Sequence, residues 1–481
     1  MDIPASPVIP GFHPDPSICK AGKDYYLACS SFEYFPGVPI FRSRDLRHWE
    51  QAGNALERPS QLVLPESVPC SGGIFAPTLR YHDGRFYLVT SNFWGGGILL
   101  FTADRAEGPW SDPVVIGWQL RVDPDLAWDA DGTCYLTVAG IEQARLDTST
   151  GALLDEPRPL WSGTLAYPEA PHLYEIGGTW YLMIAEGGTE RGHCVSIARG
   201  PSPQGPFTPC PANPILTRRS TTSPVQNTGH GDLVQAPDGS WWLVFLAVRP
   251  KGSSPGYHVL GRETFIAPVT WEGGWPVVGE ITDGPAWTEP VREDFDSAQL
   301  HPRWISARSR PPLSIADSRL VLHSADEDAM DSRLPSFIGR GQQHPHVRVR
   351  TQVEGNGGLV VRMDERHHYE MEVRGGLARA QARIGGVRQV IGQQPCPAGP
   401  VVLRLEVVSP DPVEITNSVT VGPDRIRLGL EQGGEFTVLA ELDGRYLSTE
   451  VTGGFTGRVI GVYAAAGTAS FEWFDYEVLP G

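Results

Sequence analysis

Residues 13–27 of this chain read His-Pro-Asp-Pro-Ser-Ile-Cys-Lys-Ala-Gly-Lys-Asp-Tyr-Tyr-Leu. This stretch joins a polar residue beside a proline to a short apolar run, and a Gly/Asp turn then leads into an aromatic strand. The same order recurs four more times, in residues 75–88, 123–136, 169–182 and 230–243. A repeat of about 50 residues with a hairpin in each unit is typical of a β-propeller. Five units therefore predict five blades.

The repeat also aligns one residue of each unit at the start of the first strand of its hairpin. These equivalent positions are Asp15, Phe75, Asp123, Glu169 and His230. The first strand of a propeller blade lies innermost, so the five residues are expected to ring the mouth of the central channel. Three of them are carboxylates that the repeat brings together, and such a cluster indicates a functional site.

Length and composition favour two all-β domains. The chain has 481 residues, with 55 glycines, 44 prolines and little helical periodicity, which indicates many turns between short strands. From Val291 the aromatic repeat stops, and short alternating strands with Gly/Asp turns follow. We therefore predict a five-bladed β-propeller in residues 1–288, followed by a C-terminal β-sandwich in residues 289–481.

Net charge and hydropathy indicate which classes of binding partner the protein is expected to have. The formal net charge of −17 argues against nucleic acid, which needs clustered basic residues, and favours a neutral ligand. No apolar run approaches the roughly 18 residues that a membrane-spanning helix requires. The N-terminal sequence Met-Asp-Ile-Pro-Ala-Ser-Pro lacks the basic and apolar segments of a signal peptide. We expect a cytoplasmic protein that does not bind membranes, although a chain from which a signal had been removed would read the same.

Two further motifs carry a resemblance to a known family. Residues 11–18 read Gly-Phe-His-Pro-Asp-Pro-Ser-Ile, and residues 168–174 read Pro-Glu-Ala-Pro-His-Leu-Tyr. Together they resemble glycoside hydrolase family 43, whose members include β-xylosidases, α-L-arabinofuranosidases and arabinanases. Residues 31–38, residues 185–189 and the C-terminal strands fit its xylosidase-like branch. The resemblance implies a five-bladed propeller with an inverting mechanism.

The resemblance also implies roles for the three carboxylates. Asp15 is expected to be the general base, Glu169 the general acid, and Asp123 the residue that tunes the acid and orients the sugar. An inverting hydrolase needs its base and acid on opposite faces of the bond, roughly 6.5–9.5 Å apart. Each residue has an ordinary structural alternative: Asp15 and Asp123 stand beside prolines as turn residues do, and a single glutamate such as Glu169 is more often a surface residue. The shared repeat position and the family motifs together favour catalysis.

Other candidates would contact substrate. Phe32, Phe75, Trp94 and Trp118 are candidates for stacking on a sugar, although the 14 tryptophans of the chain are expected to serve mainly as blade core. Phe75 replaces the tryptophan that the family often has in its Trp-Ala-Pro motif. Phe455, in Gly-Gly-Phe-Thr-Gly, is a candidate for closing the substrate pocket from the accessory domain.

Two polar candidates have open alternatives. The resemblance implies that His230 lies at the channel centre and helps to hold a calcium ion or an ordered water, while a buried histidine bonded to backbone is an equal alternative. It also implies that Arg262 reaches into the pocket, binds sugar hydroxyls and keeps Asp123 ionised, with a structural ion pair as the alternative. No cofactor is required for the chemistry, and calcium is left open.

We interpret the chain as an exo-acting, inverting glycosidase. It is expected to release terminal β-D-xylosyl or α-L-arabinofuranosyl units from oligosaccharides derived from xylan, arabinoxylan or arabinan, and to form homo-oligomers as family relatives often do. A retaining fructosidase-type propeller is disfavoured because its Asn-Asp-Pro-Asn and Glu-Cys motifs are absent. A sugar-binding propeller without catalysis is disfavoured by the three carboxylates. The sequence does not separate xylose from arabinose.

Overall fold

The computed structural model describes residues 6–65, 67–287, 290–326, 329–411 and 420–480. Its contacts divide the chain into two units. The first unit consists of the described residues up to Glu33 with Gly37–Arg249 and Arg262–Ala286. The second consists of Tyr34–Pro36, Pro250–Gly261 and the described residues from Trp287 onward. The predicted domain boundary between residues 288 and 289 lies outside the described residues.

Five separate antiparallel sheets make up the first unit. The first sheet contains β1 (Ser17–Ala21), β2 (Asp24–Ala28), β4 (Gly37–Ser43) and β5 (Glu50–Leu56), while β3 (Tyr34–Phe35) groups with the second unit. The second contains β6 (Thr78–His82), β7 (Arg85–Asn92), β8 (Gly97–Ala103) and β9 (Val114–Ile116). The third contains β10 (Asp125–Trp128), β11 (Cys134–Val138), β12 (Glu142–Asp147), β13 (Ala152–Leu153) and β14 (Arg158–Pro159). The fourth contains β15 (Glu169–Ile176), β16 (Thr179–Glu186), β17 (Cys194–Gly200), β18 (Thr208–Pro209) and β19 (Leu216–Thr217). The fifth contains β20 (Gln226–Gln235), β21 (Trp241–Val248), β22 (Glu263–Glu272) and β23 (Trp275–Val278).

The first strands of the five sheets form a closed ring. Strand β1 contacts β6 and β20, β10 contacts β6 and β15, and β15 contacts β20. The hairpins that follow turn at glycines such as Gly84 (φ 78°) and Gly239 (φ 86°). A side chain at either glycine would meet nothing within 4 Å, so the left-handed backbone rather than lack of space selects glycine. This ring confirms the predicted five-bladed propeller.

A network of buried charges links all five innermost strands. Arg80 on β6 donates to Asp232 on β20 (2.9 Å) and to Asp125 on β10 (2.7 Å). Asp232 also accepts hydrogen bonds from Ser17 on β1 (2.9 Å) and from the Tyr174 hydroxyl on β15 (2.6 Å). Both aspartates are fully buried. Burial alone would raise the pKa of Asp232, but Arg80 and its other partners hold that pKa well below its usual value.

Replacing Arg80 by methionine is expected to lower the free energy of unfolding by about 3–5 kcal/mol, because two buried carboxylates lose their counter-ion. Urea denaturation measures this loss. Arg85→Ala is the matched control, since Arg85 is more than half exposed and its ion pair with Asp104 spans 3.7 Å. That surface pair is worth about 0–1 kcal/mol. Equal losses in the two variants would show that the network does not hold the propeller together.

The second unit is a twelve-stranded antiparallel assembly with an associated two-stranded pairing. Its strands after β3 are β24 (Val291–Glu293), β25 (Ser306–Ala307), β26 (Leu313–Ala316), β27 (Arg319–Ser324), β28 (Phe337–Gly341), β29 (Val347–Asp364), β30 (His367–Arg374), β31 (Leu377–Ile384), β32 (Val387–Pro395), β33 (Val401–Val408), β34 (Arg425–Gln432), β35 (Glu435–Asp443) and β36 (Val459–Val478). Short 3₁₀ helices span Ala329–Asp331 and Gly444–Leu447, and helix α1 spans Thr449–Thr452. This architecture confirms the predicted sandwich.

Two long strands connect the layers of the sandwich. Residues 347–353 of β29 pair with β33, whereas residues 357–362 pair with β30. The pairing of β29 with β36 shifts its register between Gly355 and Gly357, and Gly355 has a φ of 97°. A single strand therefore bends from one layer to the other, with apolar side chains such as Val349 and Leu359 buried in one core.

None of the helices in the described ranges is long and apolar enough to cross a membrane.

Candidate active site

Four of the five predicted ring residues lie at or just before the start of an innermost strand, whereas His230 lies within β20, which begins at Gln226. Asp15 and Asp123 each stand two residues before their strands, and Glu169 opens β15. The charges of Glu169 and Asp15 both act on Asp123, and Asp123 accepts a hydrogen bond from the backbone N–H of Ala170 (3.1 Å). The structure thus brings together the three carboxylates that the repeat aligned.

These residues share an unusual backbone conformation. Asp15 (φ 56°), Asp123 (φ 52°) and His230 (φ 47°) are left-handed, and so is Ala170 (φ 49°) directly after Glu169. In the fourth blade, the pairing of β15 with β16 shifts its register between Glu169 and His172. A left-handed conformation costs a residue other than glycine about 1–2 kcal/mol, and such strain is concentrated at functional sites. Three of the five equivalent positions, and the residue after a fourth, therefore carry the same local strain.

Asp15 is a buried carboxylate with several donors around it. Arg262 donates to both of its oxygens (2.9 and 3.2 Å), and the Ser30 hydroxyl donates at 2.5 Å. The Nδ1 atom of His230 lies 3.5 Å from Asp15 Oδ1. Burial alone would raise the pKa of Asp15, but Arg262, His230 and Ser30 together hold it below its usual value. Asp15 is therefore ionised at neutral pH and can act as a base.

The prediction that Arg262 keeps Asp123 ionised is wrong. Arg262 pairs with Asp15 instead, and it also donates to the hydroxyl of Thr189 (3.0 Å). Desolvation, with the negative charges of Glu169 and Asp15, raises the pKa of Asp123 well above its usual value, and Arg262 offsets this only in part. Asp123 therefore binds a proton far more readily than an ordinary aspartate.

Glu169 contacts a residue that the sequence analysis missed. Its side chain is 27% exposed, and its Oε1 atom lies 3.4 Å from Nε2 of the fully buried His193. Thr189 is the last residue of the 185–189 segment, His193 follows that segment, and Ser30 follows the first aromatic strand. None of the three stands at one of the five equivalent repeat positions. Only their place in loops near the channel mouth could have indicated that they belong to the site.

An aromatic row extends from this cluster to the surface. The ring of Phe32 lies beneath the Arg262 guanidinium (5.8 Å) and contacts Phe75 edge-on (5.2 Å). Phe75 stacks against Trp94 (5.9 Å), which is 43% exposed and contacts the exposed Phe93. The structure thus joins Phe32, Phe75 and Trp94 and adds Phe93, which the sequence analysis did not select.

Two other aromatic candidates do not join this row. Trp118 lies in the apolar core that also contains Val89 and Leu126, so it has the structural role that was its alternative. Phe455 is half-buried in the second unit, between α1 and β36. Its predicted contact with substrate stays a prediction.

His230 is buried, and burial lowers its pKa to about 4 although Asp15 opposes the shift. It is therefore neutral at neutral pH. No group of three or more histidine, cysteine or acidic side chains with metal-binding geometry occurs in the described part of the chain. A calcium ion beside His230 stays a prediction, and we derive no step through one.

Comparisons with known proteins agree with this geometry. The family model described as "Glycosyl hydrolases family 43" matches residues 4–276, and that described as "Beta xylosidase C-terminal Concanavalin A-like domain" matches residues 292–477. The "Non-reducing end alpha-L-arabinofuranosidase BoGH43B" of Bacteroides ovatus is 37% identical over 98% of this chain and 94% of its own length. The "Xylosidase/arabinosidase" of Butyrivibrio fibrisolvens is 36% identical over 99% and 98%. The crystal structure of xylan beta-1,4-xylosidase from Bacillus halodurans C-125 is similar, with a TM-score of 0.88, 30% identity and coverage of 99% and 100%.

Proposed function

Because this chain belongs to glycoside hydrolase family 43 and is thus a glycosidase, we propose that Asp15, Glu169 and Asp123 carry out its hydrolysis with inversion. The observation that carries the proposal is the contrast between neighbouring carboxyls. Arg262 holds the pKa of Asp15 low, while desolvation and two like charges raise the pKa of Asp123. The low pKa suits Asp15 as the base, and the charge of Glu169 on Asp123 places Asp123 beside the acid.

In this mechanism Asp15 accepts a proton from the attacking water. Glu169 donates a proton to the glycosidic oxygen, and the sugar passes through an oxocarbenium-like transition state. Asp123 accepts the Ala170 N–H at 3.1 Å, which fixes its side chain beside the acid. From this position Asp123 orients the sugar. Because the charge of Glu169 raises the pKa of Asp123, the protonation states of the two carboxyls depend on each other.

The substrate that we propose is an oligosaccharide with a terminal α-L-arabinofuranosyl or β-D-xylosyl unit. Relatives of both kinds support this choice, since one is called a non-reducing-end arabinofuranosidase and another a xylosidase/arabinosidase. The aromatic row of Phe32, Phe75, Phe93 and Trp94 offers apolar faces for the C–H surface of the sugars. Its exposed end at Trp94 suits the leaving part of the substrate.

The test is a parallel measurement of kcat/KM on 4-nitrophenyl α-L-arabinofuranoside and 4-nitrophenyl β-D-xylopyranoside. NMR of the first-formed product supplies the second readout. We expect hydrolysis of at least one substrate with inversion at the anomeric carbon. A product of retained configuration would contradict the roles given to Asp15 and Glu169. A sugar-binding protein would release no sugar from either substrate.

Three sequence-based expectations remain proposals. Calcium binding beside His230 is testable by titration calorimetry with calcium chloride, in which a heat of binding would support the proposal and its absence would contradict it. Homo-oligomer formation and cytoplasmic location stay predictions, to be checked by sedimentation and by cell fractionation.

Arg262 is expected to set the acidic limb of the pH profile. Its charge lowers the pKa of Asp15, so Arg262→Gln should raise that pKa and move the acidic limb of kcat/KM to higher pH. Arg262→Lys keeps the charge but loses the two-pronged contact, so its limb should lie closer to that of the wild type while kcat/KM still falls. An acidic limb that stays in place in Arg262→Gln would show that Asp15 is not the group titrating there.

A further inference from the structure

The imidazole of His193 contacts the carboxyl of Glu169, and the surroundings of His193 are built around its ring. It ends the loop between β16 and β17, and its side chain is completely buried. Its Nδ1 atom lies 3.2 Å from the backbone carbonyl of Asn227. Asn227 has a left-handed backbone (φ 57°), at a register shift of β20 against β21.

Gly229 provides the space for this ring. A Cβ atom on Gly229 would lie 2.2–2.4 Å from three ring atoms of His193. Any other residue at position 229 would therefore displace the imidazole. The side chain is thus held between the backbone of β20 on one side and the carboxyl of Glu169 on the other.

The two contacts decide which nitrogen carries the proton. A carbonyl oxygen only accepts, so the hydrogen bond to Asn227 places the proton of the neutral ring on Nδ1. The Nε2 atom then presents a lone pair to Glu169 Oε1 at 3.4 Å. Among the described residues, no other group forms a hydrogen bond with Nε2. That lone pair has a favourable partner only while Oε1 of Glu169 carries a hydrogen.

We propose that His193 is a positioning residue that accepts a hydrogen bond from the protonated carboxyl of Glu169. This hydrogen bond keeps the carboxyl protonated and oriented for proton donation. This inference rests on the proposed function. The other charged and titratable groups that interact electrostatically within this cluster are Asp123, Asp15, His230 and Arg262. After Glu169 has given its proton to the leaving oxygen, its anion faces a lone pair, which favours uptake of the next proton from water.

The effect should depend on the leaving group. An alkoxide leaving group, as in a disaccharide, needs proton donation, whereas 4-nitrophenolate leaves with little help. His193→Phe keeps a ring of similar size but removes the acceptor. We expect kcat/KM to fall about tenfold more on the disaccharide than on the 4-nitrophenyl glycoside, the scale of one net hydrogen bond. The alkaline limb of the disaccharide profile should also move to lower pH.

Conservative rescue and a double variant make the assignment specific. His193→Gln can place an amide oxygen near the position of Nε2, so it should recover part of the disaccharide activity. In the background of Glu169→Ala, adding His193→Phe should cause no further loss, because the group on which His193 acts is gone. A merely structural role would lower both substrates equally and leave the alkaline limb in place, which would overturn the inference.

A readout on the unaltered protein covers the case in which His193→Phe does not fold. NMR of ¹⁵N-histidine-labelled protein, with the His193 signals assigned by their loss in His193→Gln, should show the proton on Nδ1. A proton on Nε2, whether alone or together with one on Nδ1, would overturn the inference. If the wild-type protein hydrolysed neither substrate, the proposed function would fail, and the tautomer would still be measured independently.

Discussion

Protein carrying Asp15→Asn is expected to lose kcat/KM on the order of 10² to 10⁴-fold, and to lose it equally on disaccharide and 4-nitrophenyl substrates. An amide does not accept the proton of the attacking water, so the loss is independent of the leaving group. Asparagine tolerates the left-handed backbone that Asp15 adopts, at φ 56°, so the fold should be kept. Steady-state kinetics with both substrates measure the effect.

Asp131→Asn is the matched control for this substitution. Asp131 is exposed, and its carboxylate accepts the N–H of Thr133 in the turn of the third hairpin. The control should keep full activity, which separates the effect of losing an aspartate from the effect of losing this one. Residual activity above a tenth of the wild type in Asp15→Asn would remove Asp15 from the role of base.

Glu169→Ala is expected to lower kcat/KM much more on a disaccharide than on a 4-nitrophenyl glycoside. On a disaccharide, loss of the proton donor should lower kcat/KM on the order of 10² to 10⁴-fold. On the 4-nitrophenyl glycoside the loss should be far smaller, because that leaving group departs as a stable anion. The alkaline limb of the pH profile should disappear with the acid that produces it.

The control for Glu169→Ala is Glu175→Ala on the same strand. Glu175 lies at the exposed end of β15, where it accepts the N–H of Gly178 in the turn. It should leave the ratio of the two substrates unchanged. A Glu169→Ala variant that loses both substrates to the same degree would assign Glu169 to binding or folding instead of proton donation.

The propeller could be predicted because its repeat is local. Each blade begins with a hairpin, and in four of the five a turn glycine stands four residues before a leucine, so the register of Asp15, Asp123 and Glu169 follows from the sequence alone. The bent strand β29 of the sandwich could not be predicted in the same way. Its two halves have the period of two ordinary strands, and only their pairing with different neighbours shows that they are continuous.

The site was predicted in its carboxylates but not in their partners. Arg262 was expected to act on Asp123, yet it pairs with Asp15, because which carboxylate an arginine reaches depends on the three-dimensional packing of blades that are far apart in sequence. For the same reason, the contact of His193 with Glu169 and the network around Arg80 could not be predicted. Their contacts join residues from different blades, and no spacing along the chain encodes them.

Asp123 also bears on how this enzyme could be improved. A carboxyl whose pKa is raised on folding weakens the folded state as pH rises from the ordinary aspartate value through the raised one, because the folded chain holds a proton that the unfolded chain releases. Its left-handed backbone adds a cost of about 1–2 kcal/mol that glycine would not have. Selection of a mutant library for thermal resistance alone would therefore favour glycine or asparagine at position 123. Such variants would lose the backbone strain and the catalytic activity together. Such a library has to be screened for turnover at every round.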